Sequence, residues 1–481
     1  MSADDRSCLD THARSNDAER PPAEVSIVIP CYNAAATLPH TLASIRAQTL
    51  LNWEAVCVDD GSTDATGEIL ADHAADDARI RWRRGPHRCP AAARNAGVAL
   101  ARARRVLFLD ADDLLRPTAL EVLLHAAATE GGNDALISAG YELLDERGAP
   151  LGVLRFPGGG LSVDTLLLGN RLPAMTLVPH TLLGEQPFDE DPRKRGCEDW
   201  DLWLRLASSG VACVTLPRVL FGYRQRARSL SHDADRMFAA GRLVLERWSA
   251  HARDSRVAAE AAHRLAWSCG AVACASGAPA AIERYLHALP PVGMSDSYRA
   301  AVAGAIRDAY AFVGAAHGHV WTSKREDWLA EIQPWLERGP LAAWAAELLE
   351  RVCLLAIDPC ENLGDVTWLL RRRGARRLVV YGLGSNGLAL LEALRAAPPA
   401  GAALTVADDH ADERMFAFLG LPRDDPREWP HWPEGTVAVV TPNACAPMVA
   451  ALVQAGGREG VDFIAPARRA RARVMAGAGA S

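Results

Sequence analysis

No stretch of 18 or more apolar residues in this 481-residue sequence is free of charged side chains, and a membrane-spanning helix requires a stretch of about that length. The most apolar candidate, residues 341–357, contains Glu347, Glu350 and Arg351 and is therefore predicted to be a buried helix. Residues 1–22 are polar and lack the apolar centre of a secretory leader, so we expect a flexible tail there. Neither segment predicts insertion into a membrane.

The sequence also lacks any Cys-x-x-Cys pair, although it contains eleven cysteines scattered from Cys8 to Cys445. An odd number of cysteines without paired spacing argues against a disulfide framework and favours reduced thiols in a cytosolic compartment. With 23% charged residues and a formal net charge of -7, the composition excludes a disordered chain and a general nucleic-acid binder. Peripheral contact with the inner face of a membrane, through a helical region or the arginine-rich C-terminal tail, is left open.

The chain is too long for one hydrophobic core, because single cores stop growing at about 250–300 residues. Its middle segment is rich in Ala, Leu, Arg and Glu with helical spacing, and nothing in that segment indicates chemistry. We predict a flexible tail at 1–22, an α/β domain at 23–234, a helical domain at 235–372, a small Rossmann-like α/β domain at 373–467 and a basic flexible tail at 468–481.

Three short apolar runs in the first domain, at 25–29, 55–58 and 106–109, have the near-continuous hydrophobicity of parallel strands buried on both faces. Segments with helical spacing lie between them, over 37–48 and 91–103. This alternation predicts an α/β sheet with helices packed on it. Ligands of such sheets bind beyond the carboxyl ends of the strands.

Acidic residues follow two of these runs. Asp59 and Asp60 come after the second run, and the third is followed by Asp110, Asp112 and Asp113. Converging carboxylates repel one another unless a cation is bound, and hard oxygen ligands suit Mg²⁺ or Mn²⁺ shared with substrate phosphates. The alternative is that these residues only form turns or cap the next helix. Two such clusters on successive strand ends favour the metal and diphosphate site.

Four ordered motifs carry a resemblance to a known family. They are VSIVIPCYN at 25–33, VDDGSTD at 58–64, ARNAG at 93–97 and FLDADD at 108–113. Together they resemble family 2 glycosyltransferases of the GT-A fold, over about the first half of the chain. The resemblance implies metal-dependent, inverting transfer of a sugar from a nucleotide-diphosphate donor, expected to be a UDP-sugar, to a glycan or glycolipid acceptor.

The resemblance also assigns roles to residues of these motifs. Asp60 matches the acceptor of a hydrogen bond from a uracil-type ring, and Asp112 and Asp113 match the ligands of the metal ion, Mn²⁺ or Mg²⁺. The residues that match the nucleotide-sugar site are Pro30, Tyr32, Asn33, Asp59, Asp60, Arg94, Asn95, Asp110, Ala111 and Asp112.

A further acidic pair, Glu198 and Asp199, opens a segment in which Leu202 and Leu206 fall on one helical face. A carboxylate at a helix N-terminus is held ionised by the helix dipole, which suits a proton acceptor and also a plain N-cap. In the family this pair supplies the catalytic base, so Asp199 is predicted to deprotonate the acceptor, with Glu198 supporting it. An inverting transfer needs one such base and no carboxylate nucleophile.

Arg226 lies in the segment 221–231, which resembles the family's Tyr-Arg segment. Many relatives have His at this position. Because Arg pairs well with phosphate oxygens, we still expect Arg226 to contact the donor diphosphate.

The last α/β segment carries a glycine-rich loop, Gly382-x-Gly384-x-x-Gly387, directly after an apolar strand, and Asp408 closes the next strand. This order resembles small NAD-binding Rossmann domains, so NAD(P) is a candidate cofactor, and helix-to-strand packing alone is the alternative. Two other functions are therefore open beside sugar transfer. They are a dinucleotide-dependent oxidoreductase or sugar-modifying enzyme, and a non-catalytic nucleotide-sugar sensor.

Overall fold

The structure, a computed structural model, describes residues 23–131, 134–157, 161–226, 229–276, 278 and 281–287, with short stretches and single positions between 302 and 464. Its first part alternates strands and helices as predicted. The strands are β1 (Val25–Cys31), β2 (Trp53–Asp59), β3 (Ile80–Arg84) and β4 (Arg105–Phe108), and the helices are α1 (Leu38–Arg46), α2 (Thr66–Asp76) and α3 (Pro90–Leu100). Proline stands in the first turn of α1 and of α3, where its missing N–H costs no hydrogen bond.

The segment that follows α3 and β4 completes the same sheet. It contains β5 (Leu114–Leu115), α4 (Ala119–Ala126), β6 (Leu136–Leu144), β7 (Pro150–Arg155), α5 (Val163–Leu167), β8 (Leu177–Pro179), α6 (Glu198–Ser208) and β9 (Cys213–Arg224). The nine-stranded sheet has the order β3-β2-β1-β4-β8-β6-β9-β5, with β7 paired to β6. This mixed α/β sheet confirms the predicted GT-A fold class.

Alternate residues of β1 supply the two faces of the sheet. Ile27 and Ile29 lie in a cluster with α1, α2 and α4, whereas Val28 lies in a second cluster with α3 and α6. The sheet is thus covered by helices on both faces, which is why its central strands are apolar almost without interruption.

In residues 229–287 of the described part, β9 is followed by the helices α7 (Ala234–Trp248), α8 (Ser255–Ala275) and α9 (Ala281–His287). The apolar side chains of α7, including Ala240, Val244 and Leu245, belong to the cluster that contains α6. Trp248 Nε1 also donates a 2.7 Å hydrogen bond to Asp201 Oδ1 of α6. The predicted division at 234/235 therefore falls where the chain enters a helix that packs on the core of the sheet domain.

The described part of the C-terminal segment is a parallel sheet of the order β11-β10-β12-β13. Its strands are β10 (Arg377–Tyr381), β11 (Ala403–Ala407), β12 (Thr436–Val440) and β13 (Phe463–Ile464). The glycines at 382, 384 and 387, Asp408, the segment 341–357 and both predicted tails lie outside the described residues. The Rossmann-like domain and NAD(P) binding therefore stay predictions. Among the helices that the structure describes, none is long and apolar enough to cross a membrane.

Candidate active site

The carboxyl ends of β1, β2, β4 and β9 lie at one edge of the nine-stranded sheet, because the pairing makes these strands run in the same direction. The turns that leave these four ends carry the predicted donor-site and metal-site residues. The sequence alone located the first three ends. The fourth, which brings residues 224–226 to the same edge, follows from the sheet pairing.

A carboxylate and an exposed aromatic ring form one side of this edge. Asp60 Oδ1 accepts the backbone N–H of Arg88 at 2.9 Å, and Asp60 Oδ2 lies 3.3 Å from His87 Nδ1. The ring of His87 stacks on Tyr32 with a centroid distance of 4.2 Å, and Tyr32 is 42% exposed. Burial raises the pKa of Asp60, and the contacts with Arg88 and His87 oppose that rise. An open aromatic face beside a carboxylate can stack on and hydrogen-bond a planar base.

Two of the predicted donor-site residues hold the turn after β2. Asp59 is fully buried, and its Oδ1 accepts the backbone N–H of Ser62 at 2.8 Å. Asn33, with φ of 48°, accepts the backbone N–H of Thr63 at 2.9 Å through Oδ1. Gly61 has φ of 76°, and a Cβ there would lie 2.9 Å from the backbone nitrogen of His87. These contacts fix the turn beneath Asp60.

Pro30 and Ala111, two further residues of the predicted nucleotide-sugar site, contribute to the site through their backbone positions. Pro30 is half-buried in β1, opposite Val58 of β2. The carbonyl of Ala111 accepts the hydroxyls of Thr37 and Thr41 at 2.9 and 3.0 Å. These bonds anchor the acidic turn after β4 to helix α1 and its N-cap.

The acidic turn places its two predicted metal ligands differently. Asp113 is 2% exposed, and its Oδ1 accepts the backbone N–H of Arg224 at 2.9 Å. Asp112 is more open, and its Oδ2 lies 2.9 Å from Nη2 of Arg226. Burial raises the pKa of both carboxyls, and the negative charge of Asp110 raises both further. Ionising all three together is unfavourable, so the turn attracts cations.

Arg94 joins the acidic turn to the helix that carries the predicted base. Its Nη2 donates to Asp110 Oδ1 and its Nη1 to Glu198 Oε1, both at 2.7 Å. The Arg94 side chain is only 7% exposed. The other oxygen of Glu198 accepts the backbone N–H of Gly196 at 2.6 Å. A buried guanidinium between two carboxylates fixes the spacing of α3, α6 and the turn after β4.

Asn95, next in the chain, faces a different partner. Its Nδ2 donates to the carbonyl of Phe188 and to Glu190 Oε1, and its Oδ1 accepts the backbone N–H of Phe188. These three bonds hold the loop 188–190 against α3. Asn95 thus supports the wall of the site in this structure.

Asp199 is half-buried at the start of α6. Its Oδ1 accepts the backbone N–H of Trp200 at 2.8 Å, and its Oδ2 accepts Nδ2 of Asn170 at 2.9 Å. Burial and then the charge of Glu198 raise the pKa of Asp199 to about 6, against the opposing effects of Arg94 and Asn170. A carboxylate with a pKa near neutrality is a better proton acceptor than an ordinary exposed aspartate, and it is still ionised at pH 7.

Three residues of the site were missed by the sequence analysis. His87 and Asn170 lie in irregular loops with no motif around them, so no local pattern indicates either residue. Arg224 had one, because it lies in the Tyr-Arg segment two residues before Arg226. Its backbone N–H binds Asp113, and its Nε donates to the carbonyl of Asp112 at 2.7 Å.

The fit to a divalent cation differs among these residues. Within the described ranges, no group of three or more His, Cys, Asp or Glu side chains is arranged to hold a metal ion. Asp113 is buried and accepts a hydrogen bond from the backbone of β9, whereas Asp112 is exposed enough to serve as a metal ligand. One protein carboxylate with an open side fits an ion of the Mg²⁺ type, because such an ion takes most of its ligands from substrate phosphates and water.

Several known proteins are similar to this chain. The model of the family described as glycosyl transferase family 2 matches residues 26–150. The Bacillus subtilis protein TuaG, whose name assigns it to teichuronic acid biosynthesis, is 30% identical over 211 residues, which cover 44% of this chain and 82% of TuaG. The succinoglycan biosynthesis protein ExoO of Rhizobium meliloti is 29% identical over 244 residues, covering 47% of this chain and 69% of ExoO. Among solved structures, residues 1–349 of S. aureus TarS in complex with UDP-GlcNAc align with a TM-score of 0.41 and 15% identity, covering 62% of this chain and 93% of that one.

The strand-end motifs, the family model and the similarity to TuaG and ExoO define a glycosyltransferase. The chain belongs to glycosyl transferase family 2. The family model spans β1 to β6, and the prediction of this family from the four motifs is confirmed.

Proposed function

We propose that this protein transfers a sugar with inversion from a UDP-sugar to a hydroxyl of a glycan or glycolipid. The observation that supports the proposal is the ion-paired bridge from Asp110 through Arg94 to Glu198, which links the start of α6, where Asp199 lies, to the turn after β4. An inverting displacement requires a proton acceptor held at a fixed distance from the donor. In this proposal the bridge keeps that distance constant.

Asp199 takes the proton of the attacking hydroxyl in this proposal. Its raised pKa, about 6, makes it a stronger base than an ordinary carboxylate. Glu198 contributes in two ways, because its charge raises the pKa of Asp199 and its hydrogen bond to Arg94 holds the start of α6.

The donor is bound by the turns after β1, β2 and β4. Tyr32 offers an aromatic face, and Asp60 offers a carboxylate oxygen that can accept N3–H of uracil. Arg226 at Asp112 lies where a diphosphate reaches the acidic turn. Mg²⁺ or Mn²⁺, held by Asp112 and the diphosphate, would supply the positive charge that stabilises the leaving UDP.

A donor panel tests this function. The full-length protein is incubated with UDP-, GDP-, ADP- and CMP-sugars in Mg²⁺ or Mn²⁺, with and without glycan acceptors, and release of free nucleotide is followed. We expect release from a UDP-sugar that depends on the metal. Release from none of the UDP-sugars but from another nucleotide sugar would contradict the proposed donor.

Asp199→Asn is the diagnostic variant, because it keeps the size of the side chain and one oxygen that accepts a hydrogen bond but removes the proton acceptor. Turnover should fall by about 10²- to 10⁴-fold with UDP affinity almost unchanged. Asp233→Asn is the matched control, since Asp233 also accepts a backbone N–H at the start of a helix, in this case α7. Near-parental turnover of Asp199→Asn would show that the base lies elsewhere.

A further inference from the structure

The start of α6 is contacted by the end of α5 and by the segment that follows α5. The two contacts are made by consecutive residues of α6, Asp199 and Trp200. Trp200 Nε1 donates a 2.7 Å hydrogen bond to the carbonyl of Leu166, at the end of α5. Asn170 Nδ2 donates a 2.9 Å hydrogen bond to Asp199 Oδ2. The first contact is buried and joins the two helices, whereas Asn170 itself is exposed.

The backbone between these contacts is set by glycine. Gly169 has φ of 139°, a conformation that other residues rarely adopt, and its N–H binds the carbonyl of Leu166 at 3.0 Å. The chain therefore turns sharply after α5, and Asn170 follows that turn. Trp200 fixes one end of the segment, so the amide of Asn170 is carried to the carboxylate of Asp199.

We propose that Asn170 is a positioning residue for the base, which orients the Asp199 carboxylate and favours its ionised form. This inference rests on the proposed role of Asp199. The amide N–H donates to one carboxylate oxygen, and the backbone N–H of Trp200 donates to the other, so the plane of the carboxylate is fixed from two sides. Hydrogen bonds to an ionised carboxylate stabilise it against protonation.

Other charged groups also act on Asp199, and they come from different elements. Glu198, on the same helix, raises its pKa, and Arg94, on α3, lowers it. Asn170 contributes a neutral side chain to these contacts, and it lies in the loop after α5. Replacing Asn170 should change the pKa of Asp199 without removing the ion pair between Arg94 and Glu198.

The test follows the titration of Asp199 directly in the full-length protein. Aspartates are labelled with ¹³C at the carboxyl carbon, and the Asp199 resonance is identified as the one absent from Asp199→Asn. In Asn170→Ala the titration midpoint should move upward from about 6 by about 0.5 to 1 pH unit, because a hydrogen bond to the ionised form is lost. In Asn170→Asp, which places a second carboxylate there, it should move upward by about 1 unit or more. Asn52→Ala, a change at an exposed asparagine beside β2, should leave it unchanged.

Kinetics provide the second measurement. With the nucleotide sugar that the panel selects, the acid limb of kcat/KM in Asn170→Ala should shift with the titration, giving a loss of about two- to fivefold at pH 6 that nearly disappears at pH 8.5. An unchanged midpoint and acid limb in both Asn170 variants would overturn the positioning role while leaving Asp199 as the base. Full turnover in Asp199→Asn would overturn both.

Discussion

Arg226 Nη2 lies 2.9 Å from Asp112 Oδ2. The pair joins the end of β9 to the turn after β4, the two places where the chain presents opposite charges at the site. Side chains of both partners remain partly exposed, at 39% and 22%. A diphosphate and a cation can therefore enter and replace the direct contact, with the phosphate taking Arg226 and the cation taking Asp112.

We expect Arg226→Ala to weaken UDP binding about tenfold, because one charge-assisted contact with a phosphate is lost. The variant should also bind Mn²⁺-free UDP poorly, since Asp112 then has no cation beside it. Isothermal titration of UDP with and without Mn²⁺ measures both effects. Arg242→Ala, which removes an exposed arginine paired with Glu246 on α7, is the control and should bind like the parent.

Asp112→Asn is expected to distinguish the contribution of the metal ion to UDP binding from the contribution of Arg226. Loss of the carboxylate should abolish the increase in UDP affinity that Mn²⁺ gives, while Arg226 still supports metal-free binding. Asp113→Ala should instead reduce stability, because the buried backbone N–H of Arg224 then loses its hydrogen-bond acceptor. Equal UDP affinity with and without Mn²⁺ in the parent protein would remove Asp112 from the metal site.

Arg94→Lys is predicted to leave the fold intact and to reduce kcat by about ten- to a hundredfold. Lysine keeps the charge but cannot bridge Asp110 and Glu198 with two separate N–H groups, so the helix carrying the base loses its fixed distance from the donor site. Arg105→Lys is the control, because Arg105 is also buried but lies at the opposite end of β4. Comparable losses in the two variants would assign the effect to general destabilisation.

Asp60→Asn tests the assignment of the nucleobase. Asparagine can still accept one hydrogen bond, but its amide also donates, and a donor suits N3 of cytosine better than N3–H of uracil. UDP affinity should fall by at least about tenfold while CDP affinity falls less or rises. Competition binding of the two nucleotides gives the ratio directly, and an unchanged ratio would place Asp60 outside the base pocket.

Much of the sheet was predictable because its central strands are buried on both faces and therefore uniformly apolar. β3 was missed for the opposite reason. Its sequence, Ile80-Arg81-Trp82-Arg83-Arg84, contains one fully buried residue and three arginines, as befits an edge strand protected by charge. β9 contains Pro217 and its pairing with β6 shifts register, so no regular alternation marks it.

The candidate site also contains residues that the local sequence predicts and contacts that it does not. The positions of Asp60, Asp112 and Asp199 were predictable, because Asp60 and Asp112 lie in turns that follow apolar strands and Asp199 lies at a helix start. The bond between Arg94 and Glu198 joins residues 104 positions apart, and the contact of Asn170 with Asp199 depends on the turn at Gly169. Such contacts follow from tertiary packing, which the local sequence does not contain.

Asp199 is expected to carry a cost in stability. Its pKa in the folded protein, about 6, lies above the value of 3.8 for a free aspartate. Between these values the folded state binds more protons than the unfolded state, so its stability falls as pH rises from about 4 to about 6. Asp199→Asn should therefore be more stable than the parent at pH 7.5 by about 1–2 kcal/mol, with no difference below about pH 4. Urea denaturation at several pH values measures this, and a difference independent of pH would contradict the raised pKa.

Trp248→Phe addresses the helices that follow the sheet domain. Every residue assigned to the donor, the metal or the base lies before residue 231, yet Trp248 donates its indole N–H to buried Asp201 on the helix that carries the base candidate. Phenylalanine keeps most of the apolar contact but leaves that carboxylate oxygen without its donor, so the free energy of unfolding should fall by about 1–3 kcal/mol. Trp203→Phe is the matched control, because Trp203 lies in the same cluster and its buried Nε1 has no hydrogen-bond partner. The free energy of unfolding should fall less in Trp203→Phe, and equal losses in the two variants would mean that the bond to Asp201 contributes nothing.

The packing of α7 also predicts the result of shortening the chain. A chain ending at residue 234 should not fold, because it lacks the α7 side chains that complete the core, whereas one ending at residue 287 should still release UDP. A soluble, active chain of 234 residues would contradict the structural role of α7.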